Sequence, residues 1–422
     1  MTTTEEPSRA TDVPSRSPRF ERPSWPPAGP RRVIADFGGT YAANGLIGLI
    51  FSATGPVAVI LAAGSAGGLS PSQMASWIFG VFFLNGLLTA LCSWLYRQPL
   101  AFFWTIPGTI IVGASLTHLA WAEVLGAFLV TGFLVLALGL TGRVRQVMSM
   151  LPMPIVMAMV AGVFLRFGTD LVAALKSDAL VAVPMVVVFL LLGSRARWGR
   201  WMPPILGALL VGAVAVAATG RFRLDDAAHR WIAEPVWQAP HFTWAAITEL
   251  VIPLAVTVIV VQNGQGSAVL KSAGHTPPMN VATVACGIWS VAASTVGAVS
   301  SCLTGPTNAL LVASGVRSRQ YTAAIVCGIL AMVVGVFAPV FVQLMLATPA
   351  AFVATLGGLA MLKALQGSFV AAFGGRFTLG ALVTFLVTVS SVQYLNIGAA
   401  FWGLLAGLLV SRLMEPEDFR PT

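Results

Sequence analysis

Apolar residues run with few interruptions from Val33 to about Arg412. Residues 1–32, by contrast, are rich in Pro, Ser and Arg and lack an apolar core. They read as a disordered tail, not a signal peptide. A membrane-spanning helix needs about 20 mostly apolar residues, and the apolar run divides into fourteen segments of roughly that kind. Seven lie at about 41–64, 73–96, 100–117, 119–140, 146–166, 178–193 and 201–219. The other seven lie at about 243–264, 277–297, 299–315, 319–345, 347–366, 377–392 and 393–411. Residues 220–242 form the longest polar connector, and 413–422 are a second short tail. The pattern predicts an all-α polytopic membrane protein with seven spans in 33–219 and seven in 243–412.

The two halves echo each other. Thr105-Ile-Pro107 through Ala114-Ser115 and Thr304-Gly-Pro306 through Ala313-Ser314 share one ungapped pattern, offset by 199 positions. Pro154 and Gly162 are matched in spacing by Pro349 and Gly357. Because seven is odd, a repeat of seven spans must be inverted across the membrane, an organisation that recurs in secondary transporters. Lys and Arg support the same count. With the N-terminus in the cytoplasm, 19 of the 24 fall on cytoplasmic segments. Only Arg166, Lys176, Arg221, Arg223 and Arg230 fall outside. Both termini are then cytoplasmic.

Composition agrees. Hydrophobic residues make up 57% of the 422 and charged residues 9%. A soluble domain averages about 25% charged. Soluble enzymes and nucleic-acid-binding domains are thereby excluded, and the net charge of +9 is the cytoplasmic bias just described. Cys92, Cys286, Cys302 and Cys327 all sit in apolar stretches and form no CxxC pair, so they read as buried hydrophobes. His118, His229, His241 and His275 lie in or near loops. No metal, cofactor or enzyme constellation is expected.

The repeat also points to a site. The third and tenth spans are short and carry Pro107 and Pro306 near their middles. Proline suits the first turn of a helix, so each span is expected to be a half-helix starting near the midplane. A helix N-terminus carries about half a positive charge and unpaired N–H donors. Two such ends facing each other make an anion site without a formal cation. Thr105, Gly108 and Thr109 stand at the first of them, and Thr304, Thr307 and Asn308 at the second. Gln262, Asn263 and Gln265 form a polar run in the eighth span, and Ser52 and Thr54 mark a polar break in the first. Both groups are expected near the same site, with Trp104 placed to stack on an aromatic ring. Glu123, a carboxylate in the fourth span, is the candidate proton carrier, because burial at membrane depth favours its neutral form. Asp36 and Glu249 lie near span ends and read as interfacial.

The chain resembles the BenE family of benzoate:proton symporters. The resemblance is carried by Ser76-Trp77, Trp104-Thr105-x-Pro107-Gly108, Glu123-x-x-Gly126-Ala127-Phe128, Gly139-x-x-Gly142, Ala158-Met159-x-Ala161-Gly162, Gln262-Asn263, Thr384-Phe385 and Ala400-Phe401-Trp402-Gly403. It extends over about 33–411 and implies a uracil-permease-like fold. In that fold a core of spans 1–4 and 8–11 moves against a gate of spans 5–7 and 12–14. It further implies a bacterial inner-membrane protein that takes up benzoate or a related aromatic carboxylate with a proton, on a fold that often forms homodimers. Gln265 stands where the family usually has proline, and the tenth span lacks the family's Gly-Gly-His stretch. This is therefore a divergent member, and transport of a nucleobase or another small organic anion, or an anion channel on the same scaffold, stays open.

Overall fold

The computed structural model describes residues 20–420 apart from 54, 195–201, 223–230, 391, 393 and 395–398. Helices dominate. In chain order they are α1 (Pro30–Asp36), α2 (Gly39–Ala53), α3 (Gly55–Ala66) and α4 (Pro71–Tyr96), then strand β1 (Phe102–Trp104). There follow α5 (Ile106–Ser115), α6 (Trp121–Thr141), α7 (Val144–Met150), α8 (Met153–Ser177), α9 (Ala179–Ser194) and α10 (Pro204–Ala218). The second half has α11 (Trp244–Ser272), α12 (Met279–Ser294), strand β2 (Ser301–Leu303) and α13 (Gly305–Leu311). It ends with α14 (Tyr321–Val336), α15 (Ala338–Leu346), α16 (Ala350–Phe373), α17 (Thr378–Ser390) and α18 (Ala399–Met414). Each of the fourteen predicted segments overlaps at least one of these helices. Among the described residues, seven helices are long and apolar enough to cross a membrane alone.

The packing shows the inversion. Helix α6 lies along α12 as α14 lies along α4; α9 packs on α10 as α17 packs on α18. Helix α3 meets α5 as α11 meets α13, and α8 pairs with its own counterpart α16. Exchanging the two halves maps each of these contacts onto another. Glycines set the closest crossings. A Cβ on Gly86 would stand 2.5 Å from the carbonyl oxygen of Gly328, and one on Gly328 equally close to that of Gly86. Small residues let helix backbones approach in this way, which dispersion rewards where lipid offers no hydrophobic drive.

At the centre β1 and β2 pair antiparallel, Phe103 opposite Cys302. These two residues are themselves 199 apart, the offset of the repeat, so the pseudo-two-fold axis passes between them. The flanking bonds obey the same exchange: Thr105 N–H donates to Ser300 O at 3.2 Å, and Thr304 N–H to Ala101 O at 3.1 Å.

The described part of the N-terminal tail departs from the sequence expectation, and both tails hold helix starts. The polar stretch through residue 32 reads as disordered, yet from Phe20 on it straps the end of the bundle. The Glu21 carboxylate accepts from Asn280 and Val281 N–H, both at 3.2 Å, at the start of α12. Trp94 Nε1 donates to Ala28 O at 2.8 Å. In the C-terminal tail, Glu415 accepts from Leu379 N–H at 2.7 Å at the start of α17. Carboxylates satisfy the free N–H groups that open a helix, and hydropathy does not register that pairing. Asp36, expected to be interfacial, is buried. It is held by Arg32 at 3.1 Å and the Tyr321 hydroxyl at 2.9 Å.

Gly328→Val is expected to lower stability by about 1–3 kcal/mol, because backbone must move to admit the side chain. Gly168→Ala meets only ordinary contact with Leu365 at 3.5 Å and is expected to be neutral or stabilising. Thermal unfolding of the two variants in detergent reads the difference.

Candidate functional site

Helices α5 and α13 carry Pro107 and Pro306 in their first turns. Thr105 caps α5, its Oγ1 accepting from Gly108 N–H at 3.1 Å. The extended residues before each half-helix could not stand alone in a membrane, since their peptide groups need partners. The strand pairing supplies some of these partners, and side chains of neighbouring helices supply others. Thr89 Oγ1 accepts from Phe102 N–H at 2.8 Å, and Ser290 Oγ accepts from Ser301 N–H at 2.9 Å.

Between the half-helices lies a small cavity of about 10 Å³, lined by Ser52, Phe103, Trp104, Gln262, Thr304 and Thr307, with Phe51, Pro56, Ile106 and Pro306 completing it. It shares five of these residues with a larger chamber of about 690 Å³. That chamber runs past Gln265 towards Pro203, Lys363 and Ser368, at the end where α10 starts and α16 finishes. Three side chains at the small cavity are buried with an unpartnered polar atom: Trp104 Nε1, Gln262 Oε1 and Thr304 Oγ1. Unpaired buried polar groups are costly. Here three converge on one space between two helix ends. Trp104 packs edge-on to Phe82, its ring centre 5.2 Å away. The lining of the small cavity carries no charge.

The structure brings Ser52, Trp104, Gln262, Thr304 and Thr307 together. Ser52 Oγ lies 3.2 Å from Thr307 Oγ1. Gln265 lines the larger chamber and lies over Gly305, where a Cβ would come within 2.7 Å of it. Thr54 falls outside the described residues. Four other candidates are placed differently. Asn308 turns to the strands: its Oδ1 accepts from Ala101 N–H at 3.0 Å and its Nδ2 donates to Thr304 O at 2.6 Å. Asn263 Oδ1 accepts from Leu303 N–H at 2.8 Å. Thr109 Oγ1 donates back to Thr105 O at 3.0 Å. These three side chains hold the half-helices and line none of the cavities described here. Glu123 sits half-buried in the first turn of α6 and accepts from Ala120 N–H at 2.8 Å.

A second buried carboxylate, besides Asp36, is Glu249, only 2% exposed. It accepts from Ser115 Oγ and lies 2.9 Å from His118 Nε2. All three line a second chamber of about 470 Å³ at the opposite end of the bundle, closed on its other side by α8, α17 and α18. Ser115 and His118 are more than 130 residues from Glu249. Position near a span end was the only sequence signal, and it suggested the interface.

Helices this apolar, folded as two inverted halves about a central polar site, define a membrane transporter, not an enzyme. The known proteins it resembles agree. Residues 36–413 match the BenE family, described as benzoate membrane transport protein. The chain belongs to that family, as a divergent member. It is 29% identical over 367 residues to inner membrane protein YdcO of Escherichia coli (strain K12), covering 86% of this chain and 93% of that one. It is 27% identical over 369 residues to the benzoate membrane transport protein of Acinetobacter baylyi (strain ATCC 33305 / BD413 / ADP1), covering 86% and 92%. Among solved structures, the transmembrane domain of the cyanobacterial bicarbonate transporter BicA superposes with a TM-score of 0.58 at 17% identity, covering 88% of this chain and 98% of that one. SLC26A9 superposes at 0.64 and 13%, covering 92% and 68%. At these identities the likeness is one of fold.

Asn308→Ala is expected to cost about 1–3 kcal/mol of stability, because it strips partners from buried peptide groups. Trp104→Phe removes an N–H that has no protein partner and is expected to leave the melting temperature unchanged or raise it. Thermal unfolding in detergent compares the two.

Proposed function

We propose that this protein imports benzoate or a closely related aromatic carboxylate together with a proton, by alternating exposure of the central site to the two sides of the membrane. The observation that carries the reading is the set of unpartnered atoms Trp104 Nε1, Gln262 Oε1 and Thr304 Oγ1 around an uncharged cavity. Trp104 Nε1–H can only donate and the Thr304 hydroxyl can donate, whereas Gln262 Oε1 can only accept. The two donors suit a carboxylate. The rings of Phe103 and Trp104 offer apolar surface to an aryl group. The adjoining chamber, at about 690 Å³, is within the ordinary range of about 300–1,000 Å³ for small-ligand sites.

The lack of a fixed cation at the site fits a monoanion that travels with one proton as an electroneutral pair. The pH gradient alone then drives uptake. One pH unit supplies about 1.4 kcal/mol, or roughly tenfold accumulation. The bias of Lys and Arg puts the termini, and with them the larger chamber, on the cytoplasmic side of a bacterial inner membrane. A second reading, another small organic anion, is favoured by Gln265, whose amide borders the larger chamber where the family usually has proline.

Proteoliposomes with an acid exterior are expected to accumulate labelled benzoate roughly tenfold per pH unit and to lose it when a protonophore is added. Uptake of uracil but not benzoate would overturn the substrate assignment. Trp104→Phe is expected to weaken benzoate binding by roughly 10- to 100-fold, the loss of one hydrogen bond to a charged group. Isothermal titration of the detergent-solubilised protein measures it.

A further inference from the structure

We propose that His118 and Glu249 together form the proton-binding site of the transport cycle, loaded from the chamber they line. The proposal rests on the proton-coupled reading above. Glu249 is buried, accepts from Ser115 Oγ, and lies 2.9 Å from His118 Nε2. Both groups border the chamber of about 470 Å³ at the end opposite the larger one. The pair therefore meets solvent from one side of the membrane.

Its surroundings make its net charge matter. Across the chamber, α17 and α18 present Thr388, Val389, Ala399 and Ala400, and α8 presents Gly162, Val163 and Leu165. The one fixed charge on that wall is Arg166, whose Nε lies 3.9 Å from Asp170. Helix α6, which also packs on this part of α11, offers Glu123, already engaged with Ala120 N–H. His241, in the approach to α11, is exposed and held through its own N–H by Ala122 O at 2.8 Å. A neutral imidazole beside a carboxylate has a net charge of minus one. Taking up one proton from the chamber makes the pair neutral, whichever of the two groups carries it. Closing the largely apolar wall over the charged pair costs desolvation, and closing it over the neutral pair costs far less. Protonation thus permits the chamber to close.

The pair and the substrate site lie on the same two elements. Helix α5 has Pro107 in its first turn and Ser115 as its last residue, with His118 just beyond it. Helix α11 carries Gln262 and, 13 residues earlier, Glu249, a separation of about 20 Å at the helical rise. Proton and substrate are therefore coupled through the movement of one rigid unit, without contact between them.

Glu249→Gln fixes the neutral state. The loaded carrier then crosses in both directions, while the empty carrier cannot return deprotonated. In proteoliposomes this variant is expected to exchange labelled for unlabelled benzoate while its accumulation under an acid-outside gradient falls from roughly tenfold per pH unit to none. The infrared difference spectrum between neutral and acid pH, taken without benzoate, is expected to contain a carboxylate or imidazole band that Glu249→Gln and His118→Gln both remove. His118→Gln should also move the pH midpoint of transport, and this variant carries the test if Glu249→Gln does not fold. Full gradient-driven accumulation by Glu249→Gln overturns the assignment, as does a difference spectrum that neither substitution alters or an unmoved midpoint in His118→Gln. A wild-type band without benzoate accumulation leaves the proton site standing and removes the benzoate reading instead.

Discussion

Everything in this molecule depends on satisfying the peptide groups of two short extended segments in the middle of an apolar bundle. A strand that ends in a membrane interior exposes N–H and C=O groups that lipid cannot bond. Here β1 and β2 bond each other, and Thr89, Ser290, Asn263 and Asn308 take up groups that the pairing leaves over. Only with that accounting closed can α5 and α13 start where they do. Their starts, in turn, enclose a small cavity lined by polar side chains and no fixed charge. The polar residues of the centre thus divide into two kinds: those already bonded to backbone build the scaffold, and those with an atom left over face the cavity.

That division was not legible in the sequence. Amide and hydroxyl residues near Pro107 and Pro306 look alike on paper, and Asn308 and Gln262 seemed equivalent. Their difference lies in which way a side chain turns, and that is decided by strands 199 residues apart. The repeat, the prolines that open α5 and α13 and the helical, apolar character of the chain were legible, because they rest on hydropathy, proline chemistry and spacing, all local properties. Glu123 shows what the same cues leave out. A Glu in the first turn of a helix is a capping signature, and the residues before it, His118 to Ala120, already mark a boundary. Hydropathy placed it within a span without registering that it opens that span's helix. Glu249 shows the converse, since its partners come from a helix in the other half of the chain.

The two chambers flank the central site at opposite ends and differ in character. The larger is lined mainly by apolar side chains and reaches the small cavity directly. The smaller ends at a histidine and a carboxylate held against one another. Among the described residues, the buried Glu249 and the half-buried His118 stand apart from the central cavity, on the elements that also line it. In the proposed cycle, distance between the two is no obstacle to coupling, because both belong to one body.

The pairing of Phe103 with Cys302 has a consequence beyond the strands themselves. Since residues related by the repeat lie opposite each other there, the axis between them relates not only two halves of a sequence but two sides of a bilayer. The halves are not identical in conformation, as their unequal chambers show. Threading each half onto the backbone of the other therefore gives a second set of coordinates in which the larger chamber opens at the other end. The chain thus carries the description of a second arrangement in its own asymmetry. The Phe103–Cys302 pair is the fixed point about which the two arrangements interchange.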